Sequence, residues 1–254
     1  MYIHYKSDLQ TPLRWAKDLG YDNYKKILIE KYLLSFYKRT IKDERWLAIK
    51  KYIRPGSTIV DCGCGMGQWV WFLNKLGYKS IGVDYSKEMI DILKKYLPQY
   101  NWVHSDIRNI PLESETVDAI ISWGVIEHFI EGPDKALREF NRLLKPGGYI
   151  FISVPLDSKY TRMSNRIEFG NIKGGVFFQY FFREEEIKKI IQSELFSIFE
   201  IRKFYKSYPI ILPRVYKMAK KNRYLLGISY RLLQPMAKLF NRSYSMIFCI
   251  AKKT

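Results

Sequence analysis

Short apolar runs alternate with amphipathic stretches along most of this chain. Ile59-Val60, Ser80 to Val83, Asn101 to His104, Val117 to Ser122 and Tyr149 to Val154 are compact runs of the kind that form a buried parallel sheet. Between them lie segments with helical signals. Gln68 to Leu76 is an apolar helix, Ser86 caps Lys87 to Tyr96, and Pro133 and Asp134 open a helix with Leu137, Phe140, Leu143 and Leu144 on one face. Lys145-Pro146-Gly147-Gly148 stops that helix just before the fifth strand. Strands alternating with helices predict an α/β, Rossmann-like doubly wound sheet, mostly parallel, with helices on both faces.

The first fifty residues read as helical. Asp22 is placed to cap a segment carrying Ile27, Leu28, Leu33, Leu34 and Phe36, and Asp43 one carrying Trp46, Leu47 and Ile49. Arg54-Pro55-Gly56 then ends the helix and leads into the first strand. The pattern divides the chain into an N-terminal helical cap over 1–55, a core over 56–204 with an insertion at 156–182, a basic helical insertion at 205–244, and a final core strand over 245–254. Trp15, Tyr21 and Tyr24 either close over a ligand or pack in the cap.

The candidate chemistry begins at Thr58 to Gly67, TIVDCGCGMG, where a strand runs into a turn with glycine at every second position. Gly63, Gly65 and Gly67 provide positive φ or the absence of a Cβ, and the helix that follows points its free N–H groups at the crevice beyond the strand. A dinucleotide turn reads G-x-G-x-x-G. Here the pattern is D-x-G-x-G-x-G, and Asp61 suits an amino acid's ammonium better than a pyrophosphate. Asp84 ends the second strand 23 positions further on, where an acid accepts both hydroxyls of a ribose. Asp106 ends the third strand; it either accepts from an adenine amino group, with the Ile107 N–H nearby for a ring nitrogen, or caps the turn that follows.

In order and spacing, VDCGCGMG, GVDYS, HSD, WGVIEH and LLKPGGYIFISVP resemble the class I S-adenosylmethionine-dependent methyltransferases, in the broad small-molecule group called type 11. The match spans about Ile59 to Pro155, and FFREEEIKKII from Phe181 continues it as the helix before a sixth strand. The resemblance implies a seven-stranded sheet whose last strand, Ser245 to Ala251, is antiparallel at the sheet edge. It also implies S-adenosyl-L-methionine as cofactor and S-adenosyl-L-homocysteine as its product. Asp61, Gly63 and Gly65 would contact the methionine end, with Gly67 supporting the turn. Asp84 would bind the ribose, Tyr85 pack on the adenine, Asp106 and Ile107 read its edge, and Trp123 touch the methionine portion.

If the acceptor is a hydroxyl, a base is useful, and His128 or Glu127, just past the fourth strand, are the candidates; both also read as helix-start hydrogen bonding. His4 is terminal and His104 lies within a strand, where it reads as packing. No N/D-P-P-Y follows the fourth strand, as adenine N6 methylation requires, no cysteine sits at that place to attack a pyrimidine, and the paired-glutamate loop of the arginine methyltransferases is not matched. Small-molecule O- or N-methylation remains, with C-methylation possible in principle.

Composition then sharpens the picture. At 254 residues and 47% apolar, the chain has enough material for a substantial core. Its three cysteines give neither a disulfide framework nor a zinc site, and Cys62 and Cys64 read as small, reduced fillers. With no secretory signal and no apolar stretch of spanning length, the expected location is cytoplasmic, peripheral at the membrane in one reading.

The net charge of +18 is uneven: Ile201 to Thr254 holds thirteen Lys or Arg and no Asp or Glu. There Leu225, Ile228, Leu232, Leu233, Met236 and Phe240 fall at helical spacing, with Lys221, Arg223, Arg231 and Lys238 on other faces. This is either a basic amphipathic helix on an anionic membrane or a helix packed on its own domain. Aromatic residues of the first insertion, Phe169, Phe177, Phe178 and Tyr180, suit a ring-shaped acceptor or plain core packing. The leading expectation is a methyltransferase acting on a small or lipid-like acceptor. Its rivals are an RNA methyltransferase and a membrane- or nucleic-acid-binding protein that keeps the fold without turnover.

Overall fold

The computed structural model describes residues 2–6, 26–158, 161–162, 176–206 and 244–254. The main sheet has seven strands: β2 (Thr58–Cys62), β3 (Lys79–Asp84), β4 (Asn101–His104), β5 (Val117–Trp123), β6 (Leu144–Pro155), β8 (Phe196–Lys206) and β9 (Tyr244–Lys253). Their order is β4-β3-β2-β5-β6-β9-β8. β2 through β6 pair in parallel, and β9 is antiparallel to both of its neighbours. The helices are α1 (Lys26–Thr40), α2 (Glu44–Tyr52), α3 (Gln68–Lys75), α4 (Lys87–Tyr96), α5 (Asp134–Leu143) and α6 (Glu184–Ser193).

Alternate side chains of each strand enter different cores. Ile59, Ile121, Phe151, Phe248 and Ile250 join Leu33, Trp46, Ile49, Trp69, Phe72 and Ile90 from α1 to α4. Val60, Ile120, Ile150, Ile152 and Cys249 join Leu137, Phe140, Ile187 and Ile191 from α5 and α6. A strand apolar on both faces needs helices on both, which makes the sheet the middle layer of three.

Local signals set most of the boundaries. The Ser86 hydroxyl accepts from Met89 N–H at the start of α4, and Asp43 accepts from the Arg45 N–H at the start of α2. Trp46 and Ile49 of α2 are buried while Leu47 lies exposed, so the cap rests on the sheet through one face only. Cys62, Cys64 and Cys249 are free and buried, as small fillers should be.

The structure corrects four expectations. The chain's beginning is not wholly helical: β1 (Tyr2–Lys6) pairs antiparallel with β7 (Val176–Phe181), inside the first insertion, as a separate two-stranded sheet. Its partner lies far along the chain, so no local period announced it. The last strand is antiparallel but lies between β6 and β8, not at the edge, because Ile247 to Ala251 are buried on both faces. β6 begins at Leu144 rather than Tyr149, with a register irregularity between the pairs Val117–Leu144 and Ala119–Tyr149 that takes up the Pro-Gly-Gly turn. β8 extends through Lys206 and β9 starts at Tyr244, so the basic segment between strands is 207–243. That segment lies outside the described residues, as do Trp15, Tyr21, Asp22, Tyr24 and Phe169.

Candidate cofactor-binding site

The carboxyl ends of β2, β3, β4 and β5 lie side by side, and the residues singled out from sequence sit on that rim. Gly63, Gly65 and Gly67 all have positive φ, at 82°, 50° and 69°. At Gly63 an added Cβ would stand 2.4 Å from Val125 Cγ2, and at Gly67 2.4 Å from the Trp102 ring. Those two glycines thus make room for the protein's own side chains, in addition to the backbone conformation they permit. The space expected for a ligand at Gly63 is occupied on its Cβ side by Val125.

Asp84 holds the turn in place. Its Oδ2 accepts from Gly65 N–H at 2.8 Å and its Oδ1 from Ser86 N–H at 2.9 Å. A carboxylate has about four lone-pair directions, so one on each oxygen remains for further donors. Beside it, Tyr85 is 62% exposed. His104 pins that residue's backbone, donating from Nε2 to the Tyr85 carbonyl at 3.0 Å, so it is a rim anchor and not core packing.

Asp61 is 3% exposed. Burial, and then the neighbouring Asp84 charge, push its carboxyl up to about 8, against the pull of Arg45. A buried acid so placed is receptive to a cation. Arg45 itself, in the first turn of α2, was not among the sequence candidates. Its guanidinium pairs with both oxygens of Asp43 and lies 5.2 Å from the Trp69 ring centre and 5.3 Å from that of Trp123. The only local clue was an arginine two residues past a capping aspartate.

Three buried polar atoms near this corner have no hydrogen-bond partner among the described residues: Gln68 Oε1, Trp123 Nε1 and Glu127 Oε2. Orphaned buried groups carry a substantial desolvation penalty and call for a partner. Glu127 is 2% exposed and burial raises its carboxyl to about 8. Trp123 packs against Trp69 and Phe248 at 5.5 and 5.9 Å between ring centres.

Asp106 takes the capping role that was one of its two readings, accepting from Arg108 N–H at 2.9 Å, and also binds the Arg108 guanidinium. That arginine holds its carboxyl below the ordinary carboxylate range despite partial burial. Ile107, next to it, is buried. His128 is exposed, and its Nδ1 donates to the Phe178 carbonyl of β7 at 2.8 Å. A carbonyl only accepts, so Nδ1 carries a proton. Among the described residues no group of three side chains could hold a metal ion.

A doubly wound sheet with strand order 4-3-2-5-6-9-8, an acid before a glycine turn and a second acid ending the next strand defines the class I methyltransferase architecture. Residues 60–152 match the family described as "Methyltransferase domain", and this part of the chain is a class I S-adenosylmethionine-dependent methyltransferase domain of the type 11 group. Over 138 residues the chain is 29% identical to "Probable tRNA methyltransferase 9B" of Mus musculus, a match covering 50% of this chain and 30% of that protein. It is 32% identical over 139 residues to the demethylmenaquinone methyltransferase of Staphylococcus saprophyticus, covering 51% of this chain and 55% of the relative. The chain therefore matches well under two thirds of either relative. Among solved structures, the PH0226 protein of Pyrococcus horikoshii OT3 superposes with a TM-score of 0.60 at 17% identity, covering 86% of this chain and 91% of that one.

The residues present fit S-adenosylmethionine. The cofactor carries an ammonium, a ribose and an adenine, and the rim offers buried Asp61, Asp84 with open lone pairs, and Asp106 beside exposed Tyr85. The unpartnered Trp123 Nε1 and Gln68 Oε1 supply one further donor and one further acceptor at the same corner.

Proposed function

We propose that this chain transfers a methyl group from S-adenosylmethionine to an oxygen or nitrogen atom of a small or lipid-like acceptor. The observation that carries the reading is a buried corner in which Asp61 is shielded from water with its carboxyl raised, while Trp123 Nε1, Gln68 Oε1 and Glu127 Oε2 have no hydrogen-bond partner among the described residues. When bound, the cofactor supplies a sulfonium that makes its methyl electrophilic. Asp61 would hold the ammonium, Asp84 the ribose hydroxyls, Tyr85 the adenine face, and Asp106 with Ile107 the adenine edge. Gly63 and Gly65 would line the methionine end, with Gly67 supporting the turn.

What remains for the chain is to align an acceptor in line, about 3 to 3.5 Å from the methyl carbon, and to exclude water. The wall suited to that task is the β1–β7 sheet, held against residues 126–130 by two hydrogen bonds. His128 donates to Phe178 O, and Tyr180 Oη donates to Ile130 O at 2.6 Å. Phe129 and Phe177 pack beside this turn, and Phe178 meets the His128 ring edge to face, a lining that suits a ring-bearing or lipid-like acceptor. If the acceptor loses a proton, His128 or Glu127 would take it.

A second reading, methylation of RNA, draws on the tRNA methyltransferase named among the relatives and on the net charge of +18. Labelled cofactor separates the two. The protein is incubated with methyl-labelled S-adenosylmethionine and, in parallel, total tRNA, a lipid extract and a small-metabolite extract. Label in the lipid or metabolite fraction is the expected result. Label confined to tRNA would overturn the main reading.

A further inference from the structure

The cofactor contacts above use Trp123 Nε1 and Gln68 Oε1 but leave Glu127 Oε2 without a partner. That side chain is buried, and no Lys or Arg of the described residues pairs with it. An added Cβ at Gly124 would stand 3.4 Å from Glu127 Oε1, and Gly124 N–H donates to Ser153 O at 2.9 Å. The carboxyl therefore lies against the residue that follows Trp123, at the carboxyl end of β5. The turn that carries it is tied in turn to β7, through the bond from His128 to Phe178 O. An acid held out of water in this way needs a group that offsets its charge when ionised. A neutral hydroxyl offers it one hydrogen bond. An ammonium offers a hydrogen bond and the opposite charge.

We propose that Glu127 makes this chain select a primary or secondary amine as its methyl acceptor, binding the nitrogen as an ammonium and then taking its proton; this rests on the methyltransferase reading given above and narrows it from oxygen or nitrogen to nitrogen. The step balances. One proton passes from the ammonium to the Glu127 carboxylate, and the lone pair freed on nitrogen forms the N–C bond to the methyl. The C–S bond breaks with its electron pair staying on sulfur, so the positive charge moves from sulfur to nitrogen. The proton leaves Glu127 for solvent as the product departs. Burial raises the carboxyl to about 8, against the pull of its own backbone N–H. Amines of amino acids lose their proton between about 7.7 and 10.4, within reach of such a base, whereas an aliphatic hydroxyl is a far weaker acid.

The position of the transferred methyl tests this directly. The protein is incubated with methyl-labelled S-adenosylmethionine and a lipid and small-metabolite extract, and tandem mass spectrometry locates the label in the products. Label on amine nitrogen is the expected result. Label only on oxygen, carbon or a non-basic nitrogen overturns the proposal and leaves the methyltransferase reading standing. Glu127→Gln keeps the size and loses the charge. It should lower amine labelling by about 10²-fold or more, while calorimetry finds S-adenosylhomocysteine affinity unchanged. Wild-type labelling by the variant overturns the proposal, and so does a matching loss of S-adenosylhomocysteine affinity, which would put Glu127 on the cofactor. If Glu127→Gln does not fold, the position of the label in the wild-type products still decides. No label in any product overturns the small-acceptor reading itself, and the role of Glu127 with it.

Discussion

Gly65 donates its backbone N–H to Asp84 Oδ2 at 2.8 Å, across a separation of 19 residues. The bond ties the turn after β2 to the end of β3, so the residue assigned to the ribose also shapes the turn assigned to the methionine end.

Asp84→Ala should therefore weaken S-adenosylhomocysteine binding and lower the melting temperature together. Losing charge-assisted bonds to two hydroxyls is worth roughly 1.5 to 3 kcal/mol, about ten- to a hundredfold in affinity. Calorimetry and thermal melts on the same sample read both effects. Unchanged affinity with a lowered melting temperature would restrict Asp84 to the turn.

Gly63→Ala tests the other half of that turn. The new Cβ would meet Val125 Cγ2 at 2.4 Å and would sit at a φ of 82°, which non-glycine residues rarely adopt. Overpacking and backbone strain each cost about 1 to 3 kcal/mol. Adding Val125→Ala should restore the packing share of the loss and leave the backbone share. If the double variant melts no higher than Gly63→Ala, the glycine is required for its φ alone.

Asp61 makes the protein's behaviour depend on pH. Its carboxyl is raised to about 8 in the fold, whereas an unfolded aspartate sits near about 3.9. Between those values the native state holds a proton that the unfolded state has lost, so the group's contribution to stability disappears as pH rises toward 8. Asp61→Asn should gain melting temperature relative to wild type from pH 6 to pH 9. Binding an ammonium should expel the proton. At pH 7 the binding heat should then vary with the ionisation enthalpy of the buffer, reading up to about one proton released. A heat independent of buffer would remove Asp61 as the ammonium's partner.

His128 is held by β7, and its replacement should act there first. In His128→Ala the amides of 176–181 should exchange hydrogen faster, since the Nδ1 bond to Phe178 O is lost, while cofactor affinity stays level. Once an acceptor is known, turnover supplies the contrast. A kcat lower by about 10² to 10⁴ with exchange unchanged would make His128 a base instead of an anchor.

Much of this molecule was legible from local rules. α4 spans Lys87–Tyr96 as its Ser86 cap indicated, because a cap is a contact between residues three apart. The turn Asp61 to Gly67 and the acids ending β3 and β4 were legible too, since strand ends and the turns that follow them are encoded in consecutive residues. Cys62 and Cys64 read as fillers for the same reason: with no second pair in the sequence, only burial was left for them.

The tertiary structure decided whatever depends on residues that meet across long separations. β1 exists because β7 offers it a free edge some 170 residues later, and an isolated pair of strands has no periodic signature strong enough to declare itself. β9 went to the interior of the sheet because Phe248 and Ile250 fill one core and Ile247 and Cys249 the other; a final position in the chain says nothing about position in the sheet. The need for glycine at 63 was visible, but that Val125 takes the vacated space was not. Arg45 reached the site from the N-terminal cap by stacking on Trp69 and Trp123, two rings brought together only when α3 packs against β5. Sequence determines directly what neighbours along the chain do to one another, while charge, burial and orphaned polar atoms acquire their values only when distant side chains exclude water together.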